Sequence, residues 1–162
     1  YHLTQLLSDA RLAPYVNVVS VVEPFFMNPK LCVNVPTAFS EYVDMTSNQY
    51  GVSFVKSIDE VPDLSKSEYS LCLIAGRTAD NPRLFRECVA KGAKVIYLEK
   101  PGASSVQELQ EMKDLADFNG VQVSKVIMMP IIIGELFIHL EMNSFCIQFQ
   151  YKFRSIWDTI RM

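Results

Sequence analysis

The feature that most constrains the fold is an alternation of short apolar runs with segments of helical periodicity. The runs at Val16–Val22 (VNVVSVV) and Tyr69–Ala75 (YSLCLIA) have the composition of strands buried on both faces. A weak strand is predicted at Val52–Val55, and further strands are predicted at Lys94–Leu98 and Val121–Val126. With helices between them, these strands predict an α/β fold: a mostly parallel sheet covered by helices on both faces.

Helix signals occupy the segments between the predicted strands. Asn81 reads as an N-cap followed by Pro82 at the first helical position, and Gly92 as the residue that closes this helix. Ser105 and Glu108 have the spacing of a capping box. The predicted helices are His2–Leu12, Pro36–Met45, a segment from Asn81 to Lys91 and a segment from Ser105 to Asn119.

Composition and charge exclude several classes of protein. The 162 residues are enough for one domain with a core, and the net charge of −3 gives no electrostatic basis for binding nucleic acid or an anionic membrane. The most apolar segment, Val126–Gly134, is shorter than the about 20 residues that span a bilayer. The four cysteines form no CxxC pair, so we expect buried, reduced thiols, no metal site and a cytoplasmic location.

Polar residues follow three of the predicted strands. Glu23 comes after the first strand, the loop 76–81 after the strand that ends at Ala75, and Glu99–Pro101 after Leu98. Ligands of parallel sheets bind beyond the carboxyl ends of the strands. The sequence therefore predicts a ligand site at this edge of the sheet.

The stretches LCLIAGRTADNP and KGAKVIYLEKPGASSVQELQEMKDLADFNGVQV resemble the amino-terminal domain of the Gfo/Idh/MocA oxidoreductases. The most specific element is Glu99-Lys100-Pro101 after a strand, followed by a helix and a Gly-Val strand. The resemblance covers roughly residues 1–125 and implies a Rossmann fold that binds NAD or NADP. It implies that Lys100 lies at the active site as a catalytic residue. It also implies that the 99–101 motif contacts the cofactor, with Pro101 shaping the nicotinamide pocket, and that Gly76 and Arg77 line the cofactor.

Glu23 matches the family's acidic residue at the end of the second strand, which binds the ribose hydroxyls of the adenosine. A carboxylate at that position accepts hydrogen bonds from these hydroxyls and repels a 2′-phosphate. The resemblance therefore implies a preference for NAD over NADP.

Departures from the family pattern limit these expectations. No GxGxxG fingerprint occurs, and Gly76-Arg77-Thr78 with Asn81 stands where the family often has Thr-Pro-Asn and a histidine. A sheet without the family's first strand leaves its second and fourth strands without their common neighbour. We therefore expect a partial Rossmann-like domain at 1–125 that binds NAD or NADP weakly or not at all.

The resemblance stops near Lys125, and residues 126–162 form an atypical apolar tail with loose alternation over Phe145–Tyr151. The tail is either a product of intron read-through or a change of frame, or a real segment that packs on exposed sheet.

Two functions remain open. The first is a fragment of an NAD(P)-dependent oxidoreductase that transfers hydride to or from a sugar- or polyol-like substrate in the complete enzyme and is inactive alone. The second is a non-enzymatic, degenerate Rossmann module whose tail binds a partner or forms an oligomer.

Overall fold

The structure is a computed structural model, and it describes residues 2–11, 13, 16–67, 69–125 and 145–151. Its helices are α1 (His2–Ser8), α2 (Thr37–Tyr50), α3 (Asn81–Ala90) and α4 (Val106–Asn119), with a 3₁₀ turn at Ile58–Glu60. Its strands are β1 (Val16–Val22), β2 (Ser53–Val55), β3 (Ser70–Ala75), β4 (Val95–Leu98), β5 (Gln122–Lys125) and β6 (Phe145–Tyr151).

The described strands form one six-stranded sheet in the order β2–β1–β6–β3–β4–β5. β1 pairs in parallel with β2, β3 with β4 and β4 with β5, whereas β6 runs antiparallel to both β1 and β3. Five strands therefore point the same way, and the predicted α/β, Rossmann-like architecture is confirmed.

The central position of the sheet belongs to β6. Cys146 lies opposite Val22 on one side and Ile74 on the other, and Gln150 lies opposite Asn17 and Ser70. The sequence left β1 and β3 without a common neighbour, and β6 is that neighbour, in the reverse direction. Residues 145–151 of the tail thus pair into the sheet, while 126–144 and 152–162 lie outside the described residues. The domain boundary at residue 125 stays a prediction.

Apolar side chains form a core on each face of the sheet, as expected for helices on both sides. On one face, Cys72 and Ile74 pack against α3 and α4; on the other, Leu71 and Leu73 pack towards α1. The buried members of the first cluster include Leu84, Phe85, Cys88, Val89, Met112 and Ala116 from the two helices. Alternate residues of β3 therefore serve opposite cores, which fixes the register of the strand that leads to Gly76.

Two of the helix ends predicted from local sequence signals, the start of α4 and the end of α3, are found in the structure. The capping box is confirmed: Ser105 Oγ accepts from the Glu108 N–H at 3.2 Å, and Glu108 Oε2 accepts from the Ser105 N–H at 3.1 Å. Gly92, at φ 85°, closes α3 as predicted. One prediction is wrong: Asp80, not Asn81, is the N-cap of α3, and it makes no side-chain capping bond.

Bounds of the other helices differ from the predictions. α1 ends at Ser8 rather than Leu12, and the Asp9 carboxylate then accepts from the Arg11 N–H at 2.8 Å in a local turn. α2 runs past Met45 to Tyr50, since Gly51 at φ 71° supplies the left-handed closing residue.

Candidate cofactor site

The loop after β4 carries the motif predicted to lie at the active site. Glu99 continues the strand pairing, because its N–H donates to the Ile74 carbonyl at 2.9 Å. Its carboxylate then accepts from the Lys100 N–H at 3.2 Å, and the side chain of Lys100 is exposed. The Lys100–Pro101 peptide is cis. The loop thus places an ammonium group in solvent at the carboxyl edge of the sheet.

The loop after β3 lies beside it, since β3 and β4 are neighbours in the sheet. The Arg77 carbonyl accepts from the N–H groups of Asp80 and Asn81, at 2.8 and 3.1 Å, which forms a tight turn into α3. Arg77 itself is exposed. Gly76 permits this close packing, because a Cβ there would lie 2.7 Å from Asn81 Oδ1 and 2.8 Å from Leu84 Cδ1.

Asn81 joins the two loops. Its Nδ2 donates to the Pro101 carbonyl at 3.2 Å, across 20 residues of sequence. The side chain is buried at 1% exposure. The structure thus places five of the six predicted site residues in two neighbouring loops: Gly76, Arg77, Glu99, Lys100 and Pro101.

Glu23 lies at the same edge but away from this group. β6 separates β1 from β3, so two strand spacings, about 10 Å, lie between the ends of the two strands. The carboxylate is buried at 3% exposure and accepts hydrogen bonds from the N–H groups of Phe25 and Phe26 in the turn that follows. In this arrangement Glu23 stabilises its own turn, and its role at a ribose stays a prediction.

The side chain of Tyr97, in β4, contacts the carboxylate of Glu99 in the loop that follows. The Tyr97 hydroxyl lies 3.5 Å from Glu99 Oε1. Partial burial, reinforced by the negative charge of Glu99, raises the pKa of Tyr97 to about 12. Tyr97 is therefore a neutral hydrogen-bond donor across the physiological pH range.

Metal and membrane sites have no support in the described part of the chain. No group of His, Cys, Asp or Glu residues there is placed to hold a metal ion. Cys72 and Cys88 are buried and Cys32 is partly buried, and none of these three described cysteines forms a disulfide. No helix among the described residues is long and apolar enough to cross a membrane.

The sequence predicted the wrong role for Asn81, whose side chain bonds the Pro101 carbonyl instead of capping α3. The Asn-Pro pair predicts a cap, and the local pattern contains no sign of a bond to residue 101. The available signal was its alignment with the histidine of the Gfo/Idh/MocA pattern, five residues after Gly76.

A family model described as an oxidoreductase family with an NAD-binding Rossmann fold matches residues 13–126, more than half of the chain. The chain belongs to the Gfo/Idh/MocA oxidoreductase family. It therefore contains an NAD-binding, oxidoreductase-type domain, as its sequence predicted. No curated protein matches it.

Two solved structures are similar to part of the chain. One is a protein assigned as an oxidoreductase from Bacteroides fragilis, at 22% identity and a TM-score of 0.41, over 50% of this chain and 23% of that one. The other is assigned as an oxidoreductase from Klebsiella pneumoniae, at 20% identity and a TM-score of 0.42, over 51% of this chain and 23% of that one. The matched part spans less than a quarter of either protein.

Proposed function

We propose that this chain is the nucleotide-binding part of an NAD-dependent oxidoreductase, with the nicotinamide end of the cofactor over the loops that follow β3 and β4. The observation that carries the proposal is the joining of these loops by Asn81 and the Pro101 carbonyl, beside an exposed Lys100. In an α/β sheet this edge is where ligands bind.

Lys100 supplies the proton chemistry of the proposed reaction. A bound nicotinamide accepts or donates the hydride. Oxidation of an alcohol also requires that the hydroxyl lose a proton, and a lysine amine beside that hydroxyl accepts it. In the reverse direction the ammonium donates a proton to the carbonyl oxygen. We propose a sugar- or polyol-like alcohol as substrate, in line with the family resemblance, and further substrate contacts from a complete enzyme of which this chain is a fragment.

The described residues fit the two ends of a dinucleotide unequally. The nicotinamide end has the exposed Lys100 in the loop after β4, beside the loop after β3 that contains Gly76. For the diphosphate the sequence offers no GxGxxG turn, and the central strand, β6, runs antiparallel to its neighbours. Each missing hydrogen bond to a charged group costs roughly 1.5–3 kcal/mol, so two or three of them shift the Kd from micromolar to about millimolar.

Glu23 favours NAD over NADP in this proposal. Its carboxylate uses two acceptor positions for the turn N–H groups, and an ionised carboxylate has about four. Because Glu23 is only 3% exposed, its negative charge rather than a free acceptor position is what disfavours a 2′-phosphate.

An NMR titration with NADH and NADPH tests the proposal. We expect a Kd for NADH of about millimolar, a weaker one for NADPH, and shifts centred on the amides of Gly76, Lys100 and Gly102. Lys100→Met should reduce the shifts caused by the nicotinamide, whereas Lys113→Met, at an exposed position of α4, should leave them unchanged. Shifts spread over other parts of the chain, or none with about 10 mM NADH, would contradict it.

The interaction module is the second candidate, and one observation favours it. Phe25, Leu31 and Val33 in the loop between β1 and α2 are exposed, with Val33 at 86%. Contiguous exposed apolar surface often marks interaction sites, and these three side chains lie within the stretch 25–33. We expect sedimentation to show concentration-dependent association that is lost in a Leu31→Ser, Val33→Ser double variant. A monomer at every concentration counts against this candidate.

A further inference from the structure

Asn81 lies in the first turn of α3, yet neither of its polar side-chain atoms caps the helix. The N-cap is Asp80, and Asn81 Nδ2 instead donates to the Pro101 carbonyl at 3.2 Å. We propose that Asn81 is a positioning residue that fixes the Lys100–Pro101 segment, and with it the ammonium of Lys100, against the start of α3. The catalytic role of Lys100 rests on the proposed function, but the fixing of its loop by Asn81 does not.

Stability alone does not account for an asparagine at this site. Its Oδ1 is buried and accepts no hydrogen bond from any described residue, and a buried acceptor without a donor destabilises the fold. A leucine of similar size would avoid that cost. The atom with a partner is Nδ2, and its partner belongs to the loop that carries Lys100.

The local packing is arranged around this side chain. Gly76 lies so close to Asn81 that a Cβ on residue 76 would be 2.7 Å from Oδ1. At the other end, Gly102 approaches Leu98, where an added Cβ would lie 2.9 Å from Cδ2. Gly76 therefore leaves room for the Asn81 side chain, and Gly102 lets its own loop pack against Leu98 and Leu109. The Asn81 carboxamide is the group that bridges the two loops.

The strand pairing fixes the start of the loop but not its exposed end. The Glu99 N–H donates to the Ile74 carbonyl at 2.9 Å, which fixes the first residue after β4. Pro101 has no N–H to donate, and its ring is exposed. The bond from Asn81 to the Pro101 carbonyl is therefore what ties the exposed end of the loop to α3.

The test compares two variants of the full chain with the wild type. Asn81→Leu removes both polar atoms at similar volume, and Asn81→Asp keeps the size and an acceptor but at neutral pH has no donor. In the wild type we expect a through-hydrogen-bond scalar coupling between Asn81 Nδ2 and the Pro101 carbonyl carbon. In both variants we expect changes in the chemical shifts of the Pro101 carbonyl carbon and the Gly102 amide. We also expect a changed rate at which an amine-reactive reagent acylates Lys100.

A stability control separates positioning from general loosening of α3. Val89→Ala removes buried apolar atoms from α3 and leaves Asn81 intact. It should lower the melting temperature without moving the Pro101 and Gly102 resonances, whereas Asn81→Leu should move them with little loss of stability. The inference is wrong if the wild type lacks the scalar coupling between Asn81 Nδ2 and the Pro101 carbonyl carbon. It is also wrong if Asn81→Leu leaves the Pro101 and Gly102 resonances and the rate of Lys100 acylation unchanged.

Dinucleotide binding forms a separate arm of the experiment. If the wild type binds NADH, we expect Asn81→Leu to weaken binding by about tenfold, the factor that corresponds to one displaced hydrogen bond. Unchanged NADH affinity in that variant would overturn the link to the cofactor. If the wild type binds no dinucleotide, the proposed function fails, while the resonances and the Lys100 rate still decide whether Asn81 positions the loop.

Discussion

Replacing Gln148 with proline tests whether β6 holds the centre of the sheet. Gln148 lies opposite Ser20 of β1 and Cys72 of β3. Proline removes a backbone N–H from a central strand and introduces a ring that the pairing cannot accommodate, which costs about 3 kcal/mol or more. For a chain of this size each kcal/mol lowers Tm by about 2–4 °C, so we expect a loss of about 6–12 °C.

Gln148→Ala is the matched control, because it changes the same side chain and keeps the N–H. Chemical denaturation should give a difference of about 3 kcal/mol between the two variants. Amide hydrogen exchange should rise in β1 and β3 together in the proline variant, since both strands lose the same neighbour. Equal stability of the two variants, with unchanged exchange in β1 and β3, would show that β6 is not their common neighbour.

Two further outcomes follow from other parts of the fold. Chemical denaturation should show that Gly92→Ala lowers the free energy of unfolding by about 1–3 kcal/mol more than Gly51→Ala does. Both glycines have positive φ, but of the two only Gly92 has backbone close to an added Cβ, which would lie 2.7 Å from Ser65 N. Equal losses in the two variants would refute this explanation. The raised pKa of Tyr97 means that its contribution to stability is complete below pH 10.0 and is lost as the pH rises towards about 12. Absorbance titration should show that Glu99→Gln lowers this pKa only part of the way, because burial is the larger cause; a full return to the ordinary value would contradict that order of causes.

The local signals in the sequence were sufficient for most of the fold. β1 was predicted residue for residue at Val16–Val22, and the capping box at Ser105 predicted the start of α4, because both depend on neighbours within a few positions. The place of β6 was not predictable in the same way. Its loose alternation indicates a strand at most, whereas its antiparallel place between β1 and β3 depends on partners that lie 70 or more residues away in sequence.

The sequence predicted where the candidate residues lie in the fold but not which groups they contact, and their roles stay a prediction. Strand ends placed Glu23 and Lys100 at the carboxyl edge, since that follows from chain direction alone. The burial of the Glu23 carboxylate under the N–H groups of Phe25 and Phe26 is a property of the turn that the motif does not record. The side chain of Asn81 bonds a distant carbonyl instead of capping its helix, which local capping rules do not anticipate.

The central place of β6 also determines the order in which the sheet is completed during synthesis. β1 pairs with β2, and β3 with β4 and β5, but the two groups are joined through a strand that follows all of them in sequence. Until residues 145–151 leave the ribosome, a nascent chain carries two partial sheets with facing, unpaired edges. Such edges template pairing with other chains, and contacts of long sequence separation form slowly. We therefore expect this protein to need protection from aggregation while it is being translated, and to acquire its native cooperativity only when its last described strand is in place.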